Sequence, residues 1–195
     1  MLIGIVGLER TGKDTVANYL VKNHSFIKYN MAQPIKQISE IMFGWTMSEM
    51  ETNKKDELDE GLGIIPRDFF KWFGTDICQY EIYKKFPQLE DKIPKKELWS
   101  QIMKNNVNKY RLKNKNQNIV IPDIRFLHEV KTIKELGGKL IYLERIENAE
   151  FNSYDLKEIM KKDNNFIDYT LDNTLNIESL YETIEIFIDY LKSNA

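Results

Sequence analysis

The stretch GIVGLERTGKDT, Gly4 to Thr15, constrains this chain more than any other part of its 195 residues. Leu2 to Val6 is a short apolar run, and Val16, Ala17 and Leu20 fall on one face of the segment after Lys13. A buried strand is therefore expected to pass through a tight glycine-bracketed loop straight into a helix. A strand that feeds a helix in this way belongs in a parallel sheet covered on both faces, with ligands at the carboxyl ends of its strands.

The rest of the chain extends that pattern. Phe26 to Asn30 is expected as a second strand, and Ile35, Ile38, Ile41 and Met42 recur at helical spacing in Gln33 to Phe43, with Pro34 in the first turn. Met47 to Leu62, acidic and lysine-rich with few apolar anchors, reads as a partly helical, solvated segment. Pro66 opens a helix that runs to Phe86 and is broken at Pro87, and Lys95 to Leu112 forms another. A strand at Ile119 to Ile121, a helix from Phe126 to Leu136 ended by Gly137 and Gly138, and a strand at Lys139 to Leu143 follow. A short strand at Asp168 to Leu171 and a stripe of Ile177, Leu180, Ile184, Ile188 and Leu191 close the chain. The expected order is βαβα, helices, βαβ, helix, β, helix. With no internal repeat or linker, residues 1–195 read as a single α/β domain, three layers deep, carrying a helical insertion at 33–112.

Composition narrows the partners. The formal net charge of -2 and sequence pI near 5.8 argue against a nonspecific nucleic-acid binder, which displaces counterions with a basic face. Cys78 is the sole cysteine, so no intramolecular disulfide can form, and no apolar run is long enough to span a bilayer. The first residues lack the basic flank and small-residue cleavage site of a signal peptide. A reducing cytoplasm, without membrane or nucleic-acid partners, is the expected setting.

From Gly7 the loop reads GxxxxGK, ending at Gly12 and Lys13. Between a strand and a helix, that spacing surrounds a polyphosphate with backbone N–H groups and the positive end of the helix, while Lys13 neutralises its outer oxygens. Asp14 stands where a magnesium-binding hydroxyl is usual. Two readings stay open: a carboxylate ligand to the metal, directly or through water, and a helix-start aspartate favoured by the macrodipole. Thr15 can still donate to an inner phosphate.

In IVIPDIRFLHEVKTIKELGGKLIYLER an apolar strand ends near Asp123, with Arg125 just beyond. If the strand continued, both side chains would point the same way. One could organise a metal while the other clamps a phosphate; a salt bridge between surface groups is the plainer alternative.

GxxRTGKDT, MAQPIK, IPRDFFKWFGTD, PDIRFLHE with its following GG, and DYTLDN occur in that order. Together they resemble a deoxynucleoside monophosphate kinase of the kind found in large bacteriophages and related viruses, within the phosphate-loop nucleoside monophosphate kinase group. The resemblance covers nearly the whole chain. It implies a central parallel sheet between helical layers, a helical insertion that binds the monophosphate, and a short lid at 145–165. The implied activity moves the γ-phosphoryl group of ATP to a deoxynucleoside monophosphate, with magnesium held by Asp14 and Asp123. Arg10, Thr11, Gly12, Lys13, Asp14, Thr15 and Arg145 would then meet ATP. Gln33, Lys36, Arg67, Trp72, Arg125 and Phe126 would meet the acceptor, while Lys13, Arg10, Asp123 and Arg125 would serve the transfer itself. Members of the family often pair, which makes a homodimer the implied assembly.

Some residues depart from the pattern. Gln33 stands where the family has an aspartate, Gln79 lies near the expected site of a missing arginine, and no arginine follows Arg145 before Asp163. Lys157, Lys161 and Lys162 are the available substitutes in the lid. Phe69, Phe70, Trp72 and Phe73, at helical spacing, read as core as readily as base-stacking rings. His24 and His128 show neither metal-ligand spacing nor a nucleophile partner. Two other classes share the loop: a different small-molecule kinase of the dephospho-coenzyme A or phosphomevalonate type, and a non-enzymatic protein in which ATP gates a partner.

Overall fold

The computed structural model describes residues 1–145, 159–160 and 165–193. Contacts within the chain divide it into two compact units, Met1–Asn30 with Met103–Ala195, and Met31–Ile102.

The first unit is a five-stranded sheet in the order β2-β3-β1-β4-β5, parallel throughout. Its strands are β1 (Leu2–Val6), β2 (Phe26–Lys28), β3 (Asn118–Ile124), β4 (Lys139–Glu144) and β5 (Tyr169–Asp172). β1 lies at the centre, all five of its residues buried. Strand alternation sorts the side chains by face. Ile3 and Ile5 join Val16 and Leu20 of α1 (Lys13–His24) and Ile184 and Phe187 of the C-terminal helix (Ile177–Ser193) in one core. On the opposite face the backbone of Gly4 lies against Leu140, Ile124 and Ile133, the last from the helix Leu127–Glu135. The sheet is thus the middle of three layers, as expected from the alternation of strands and helices. Each of these fully buried aliphatic side chains contributes about 1.5–3 kcal/mol through its removal from water.

β3 runs farther than the expected Ile119 to Ile121. It passes through Pro122 with a shift of register: Gly4 pairs with Ile121, but Val6 pairs with Ile124. Proline has no N–H to give the ladder, so the strand accommodates it with an extra residue rather than ending. β2 stops at Lys28, short of the expected Asn30, although the Tyr29 amide still donates to Val120. The last strand covers Tyr169–Asp172, one residue later than expected. The helix expected between β4 and β5 and the lid at 145–165 lie largely outside the described residues, as do Lys157, Lys161 and Lys162.

The second unit is helical. It comprises α2 (Gln33–Phe43), α3 (Met47–Glu51), a 3-10 turn (Asn53–Asp56) and α4 (Pro66–Lys71). α4 continues as a π-helix (Trp72–Glu81) into α5 (Ile82–Lys85), followed by a 3-10 turn (Pro87–Leu89). α6 (Leu98–Lys113) begins here and carries the chain into the first unit, where Met103 and Val107 are fully buried. Two further helices are α7 (Leu127–Glu135) and α8 (Ile177–Ser193).

Two expectations are corrected in this unit. The helix from Pro66 is not α-helical throughout, because from Trp72 its turns widen to the π form; the indole Nε1 of Trp99 donates to the Gly74 carbonyl within that stretch at 2.8 Å. The segment after Met47 is better anchored than its charge suggests. Thr46 and Glu49 cap α3 reciprocally, and Met50 is buried with Trp45 and Phe69. Cys78, in the π stretch, is buried, and burial pushes its thiol up to about 11.

Candidate active site

Gly7, Gly12 and Lys13 convert the end of β1 into a cradle. At Gly12 φ is +95°, which disfavours any side chain, and an added Cβ would stand 2.8 Å from the Asn173 amide nitrogen. Gly7 is excluded from substitution differently: a Cβ there would meet the Leu143 carbonyl at 2.9 Å. Arg10 also takes a left-handed backbone, with φ of 61°. No side chain caps α1 at Gly12. The first-turn amides are therefore left to whatever anion sits in the loop.

The Lys13 ammonium folds back over the loop, donating to the carbonyl of Gly7 at 2.9 Å and also to that of Leu8. The buried Thr11 hydroxyl donates to Leu8 as well, at 2.9 Å. Burial lowers the pKa of Lys13, and the nearby positive charge of Arg125 lowers it further, against Asp14, Glu9 and Asp123. The helix start and the end of β3 therefore share one electrostatic neighbourhood, which contains Lys13, Asp14, Asp123 and Arg125. Two cations held together in a partly dry site favour a polyanion between them.

Asp14 is exposed and its Oδ1 accepts from Lys28 Nζ at 2.7 Å; Lys28 also reaches Asn18 Oδ1 at 3.3 Å. Asp14 is thus compensated by a cation on β2, which reduces the repulsion it would exert on a bound phosphate. Asp123 is half-buried at the register shift of β3. Its charge is felt by Lys13, by Glu129 and by Tyr29, whose hydroxyl accepts from Asn106 at 3.2 Å. Among the described residues, no three acidic, histidine or cysteine side chains gather as a metal-binding group. Asp14 and Asp123, two carboxylates near the loop, are a donor set of the kind magnesium takes together with phosphate oxygens and waters.

The turn from β3 to α7 is pinned from within. Glu129, 5% exposed, accepts the amides of Arg125 at 2.7 Å and Phe126 at 3.0 Å on the same oxygen, Oε2. Burial pushes its carboxyl up to about 7, with the two amides pulling the other way. Phe126 stacks on His128, ring centroids 5.4 Å apart and planes within 8°.

On the other side of the loop a cleft of about 200 Å³ is lined by Gly12, Thr15, Arg145, Asn173, Leu175 and Ile177. Arg145 donates to the Arg10 carbonyl at 3.3 Å. Asn173 closes the rear, its side chain donating to the Thr11 carbonyl at 2.8 Å and its backbone amide to the Glu144 carbonyl at 2.8 Å. Arg145 thus shares the lining of this cleft with the exposed side chains of Leu175 and Ile177, beside the phosphate loop.

The structure thus gathers Arg10, Thr11, Gly12, Lys13, Asp14, Thr15, Asp123, Arg125, Phe126 and Arg145 in the first unit. Gln33, Lys36, Arg67 and Trp72 belong to the second. There Gln33 approaches Met47 Sδ at 3.8 Å, and Lys36 pairs with Glu51 at 3.2 Å. Arg67 grips both carboxylate oxygens of Asp56. Of the clustered aromatics, Phe69 is core, 6% exposed, whereas Trp72 is 49% exposed, tilted against Phe69 and Phe73. The core reading therefore holds for Phe69, while the Trp72 ring remains accessible.

Sequence reasoning passed over Glu129, Asn173, Lys28 and Tyr29. Two signals were present: Glu129 stands three residues after Phe126, the spacing of a helix-capping carboxylate, and Asn173 closes DYTLDN. Lys28 and Tyr29 carried none, because their roles arise from strand adjacency.

Residues 1–64 match the family model of deoxynucleotide monophosphate kinase. A protein of Acanthamoeba polyphaga mimivirus, whose given name assigns it provisionally as a deoxynucleotide monophosphate kinase, is 28% identical over 192 residues, covering 97% of this chain and 96% of its own. The deoxynucleotide monophosphate kinase of Escherichia phage RB69 is 40% identical over 67 residues, 32% of this chain and 27% of its own. Among solved structures, dephospho-CoA kinase from Campylobacter jejuni is 13% identical, with a TM-score of 0.47 over 100% of this chain and 98% of that one; a likeness of that size does not choose between acceptors. The resemblance to viral deoxynucleoside monophosphate kinases is borne out by the family model and the viral relatives.

Proposed function

We propose that this protein is an ATP-dependent kinase that phosphorylates deoxynucleoside monophosphates to diphosphates. The observation that carries the reading is the neighbourhood of Lys13, Arg125 and Asp123 at the carboxyl ends of β1 and β3, beside an uncapped helix start. A triphosphate on the loop amides would place its terminal group in that neighbourhood. The near full-length similarity to the mimivirus protein supports the acceptor class.

The acceptor phosphate is already an anionic nucleophile. One of its oxygens bonds to the γ-phosphorus, the bond from that phosphorus to the β–γ bridging oxygen breaks, and ADP leaves with the electron pair. No strong base is required, so the protein's task is alignment and charge neutralisation. Lys13 holds the outer phosphates of ATP, and Arg10 and Arg125 supply guanidinium groups whose planar forks suit phosphate oxygens. Thr11, Gly12 and Thr15 hold the inner phosphates, and Arg145 covers the base in the cleft beside Asn173. Gln33, Lys36, Arg67, Trp72 and Phe126 are assigned to the acceptor nucleotide. Asp123, with Asp14 through water, would hold magnesium, which when bound offsets the negative charge of the phosphate oxygens.

The working assembly is a homodimer acting on small molecules in the cytoplasm, the host's if the source is viral. No helix among the described residues is long and apolar enough to cross a membrane. The decisive experiment is coupled ADP release from ATP and magnesium with each deoxynucleoside monophosphate in turn. Turnover with at least one is the expected result. ATP binding without transfer to any of them, or transfer confined to dephospho-coenzyme A or phosphomevalonate, would remove this reading.

A further inference from the structure

The charge of Arg125 is felt by Lys13 in the loop, and its backbone is held by Glu129. Its amide, and that of Phe126, converge on a single oxygen of Glu129, a carboxylate that is almost wholly enclosed. Enclosing a carboxylate is unfavourable unless its hydrogen bonds are fixed. A solvent-facing serine or aspartate at the head of α7 would cap the helix with less desolvation. The buried arrangement does something an exposed cap would not: it ties the two residues that follow β3 to the first turn of α7 and fixes the backbone from which Arg125 and Phe126 project. It does so just past Ile124, where β3 pairs once more with Val6 of β1 beyond its register shift and then ends, so the ladder itself does not extend to Arg125 and Phe126. Val130 and Ile133 of α7 are fully buried, so the base of the tether is set in the core.

We propose that Glu129 is a positioning residue for the acceptor phosphate: by accepting both amides it sets the direction of the Arg125 guanidinium. Resting on the proposed kinase activity, this assigns to Glu129 an action on the acceptor side of the reaction, through Arg125, and none on ATP.

The test is a double-mutant cycle on the full-length chain with Arg125→Ala, using Glu129→Ala and the shape-conserving Glu129→Gln. Glu129→Ala is expected to lower kcat/KM for the monophosphate by about tenfold or more, with KM for ATP changed by less than about twofold. Glu129→Gln, whose amide oxygen can still accept both N–H groups, should recover to within about threefold of wild type. In the Arg125→Ala background, Glu129→Ala should add little to the acceptor defect while still lowering Tm. A Glu129→Ala protein with wild-type acceptor kinetics, or acceptor defects of the two variants that simply multiply, would overturn the proposal.

A measurement that needs no turnover accompanies it. Amide exchange at Arg125 and Phe126 should accelerate by about tenfold in Glu129→Ala relative to wild type and Glu129→Gln, and equal rates would overturn the tether itself. A wild-type protein inert toward every monophosphate refutes the kinase reading, whereas an active one with unperturbed Glu129 variants refutes only the role of Glu129.

Discussion

Lys13 is the residue on which the loop's chemistry turns, since its ammonium already spends hydrogen bonds on the Gly7 and Leu8 carbonyls and is poised to exchange them for phosphate oxygens. Lys13→Ala should reduce kcat by about a hundredfold or more, roughly 2.7 kcal/mol in the barrier, measured by coupled ADP release. Arg125→Ala should cost about tenfold or more in kcat/KM for the acceptor, or roughly 1.4 kcal/mol. A wild-type rate from either variant would take that side chain out of the mechanism. Gly12→Ala should damage the loop without touching its charge, because the residue would be forced to hold φ of +95° with its methyl against Asn173. At this scale the sequence was most legible where the chemistry needs an unusual local arrangement, as in Gly7 to Lys13. It was least legible for Lys28 and Tyr29, whose contacts with Asp14 and Asn106 exist only once the chain has folded, whereas Glu129 and Asn173 left a capping spacing and a motif position as their signals.

The elements show why patterning located strands but not their ends. Ile119 to Ile121 was readable as an apolar run, yet β3 continues through Pro122 because the neighbouring strand tolerates an extra residue there. The helix from Pro66 kept its apolar spacing while widening to the π form at Trp72, and within that stretch the Gly74 carbonyl accepts from the Trp99 indole, a partner that no local motif announces. Trp99→Phe, which leaves the Gly74 carbonyl without its indole donor, should destabilise the helical unit by about 1–3 kcal/mol in urea unfolding. In the sheet, Asp168 joins α7, β4 and the start of β5: it accepts from Lys134, from Lys139 at 3.3 Å and from the Leu140 amide at 2.7 Å. Burial pushes its pKa up, but these partners outweigh it and the net shift is downward. A depressed carboxylate stabilises the fold above its unfolded value, near 3.9, and loses that advantage as pH falls through the folded value. Asp168→Asn should therefore be less stable than wild type at pH 7, on the order of 1 kcal/mol given its partial exposure, and the gap should narrow toward pH 3. A gap that is unchanged by acid would mean the aspartate acts through shape alone.

Across the whole molecule, alternation of strands and helices was enough to read a parallel α/β sheet, and the observed strand order puts β1 and its loop at the centre of that sheet. Long-range pairings were illegible by nature, since Lys28 meets Asp14 and Asn173 meets Gly12 only once the sheet has formed. Saturating ATP with magnesium should raise Tm, the stabilisation amounting to about 2.7 kcal/mol at a hundred times Kd, and Lys13→Ala should abolish most of that shift. The helical unit also carries its own stopwatch. Cys78 is enclosed in the π stretch with a thiol held near 11, so at neutral pH an alkylating reagent finds almost no thiolate while the unit stays shut. With no second cysteine to confuse the reading, the pace of alkylation becomes a direct clock for how often residues 31–102 breathe open, and a nucleotide that slows the clock declares which part of the chain it steadies.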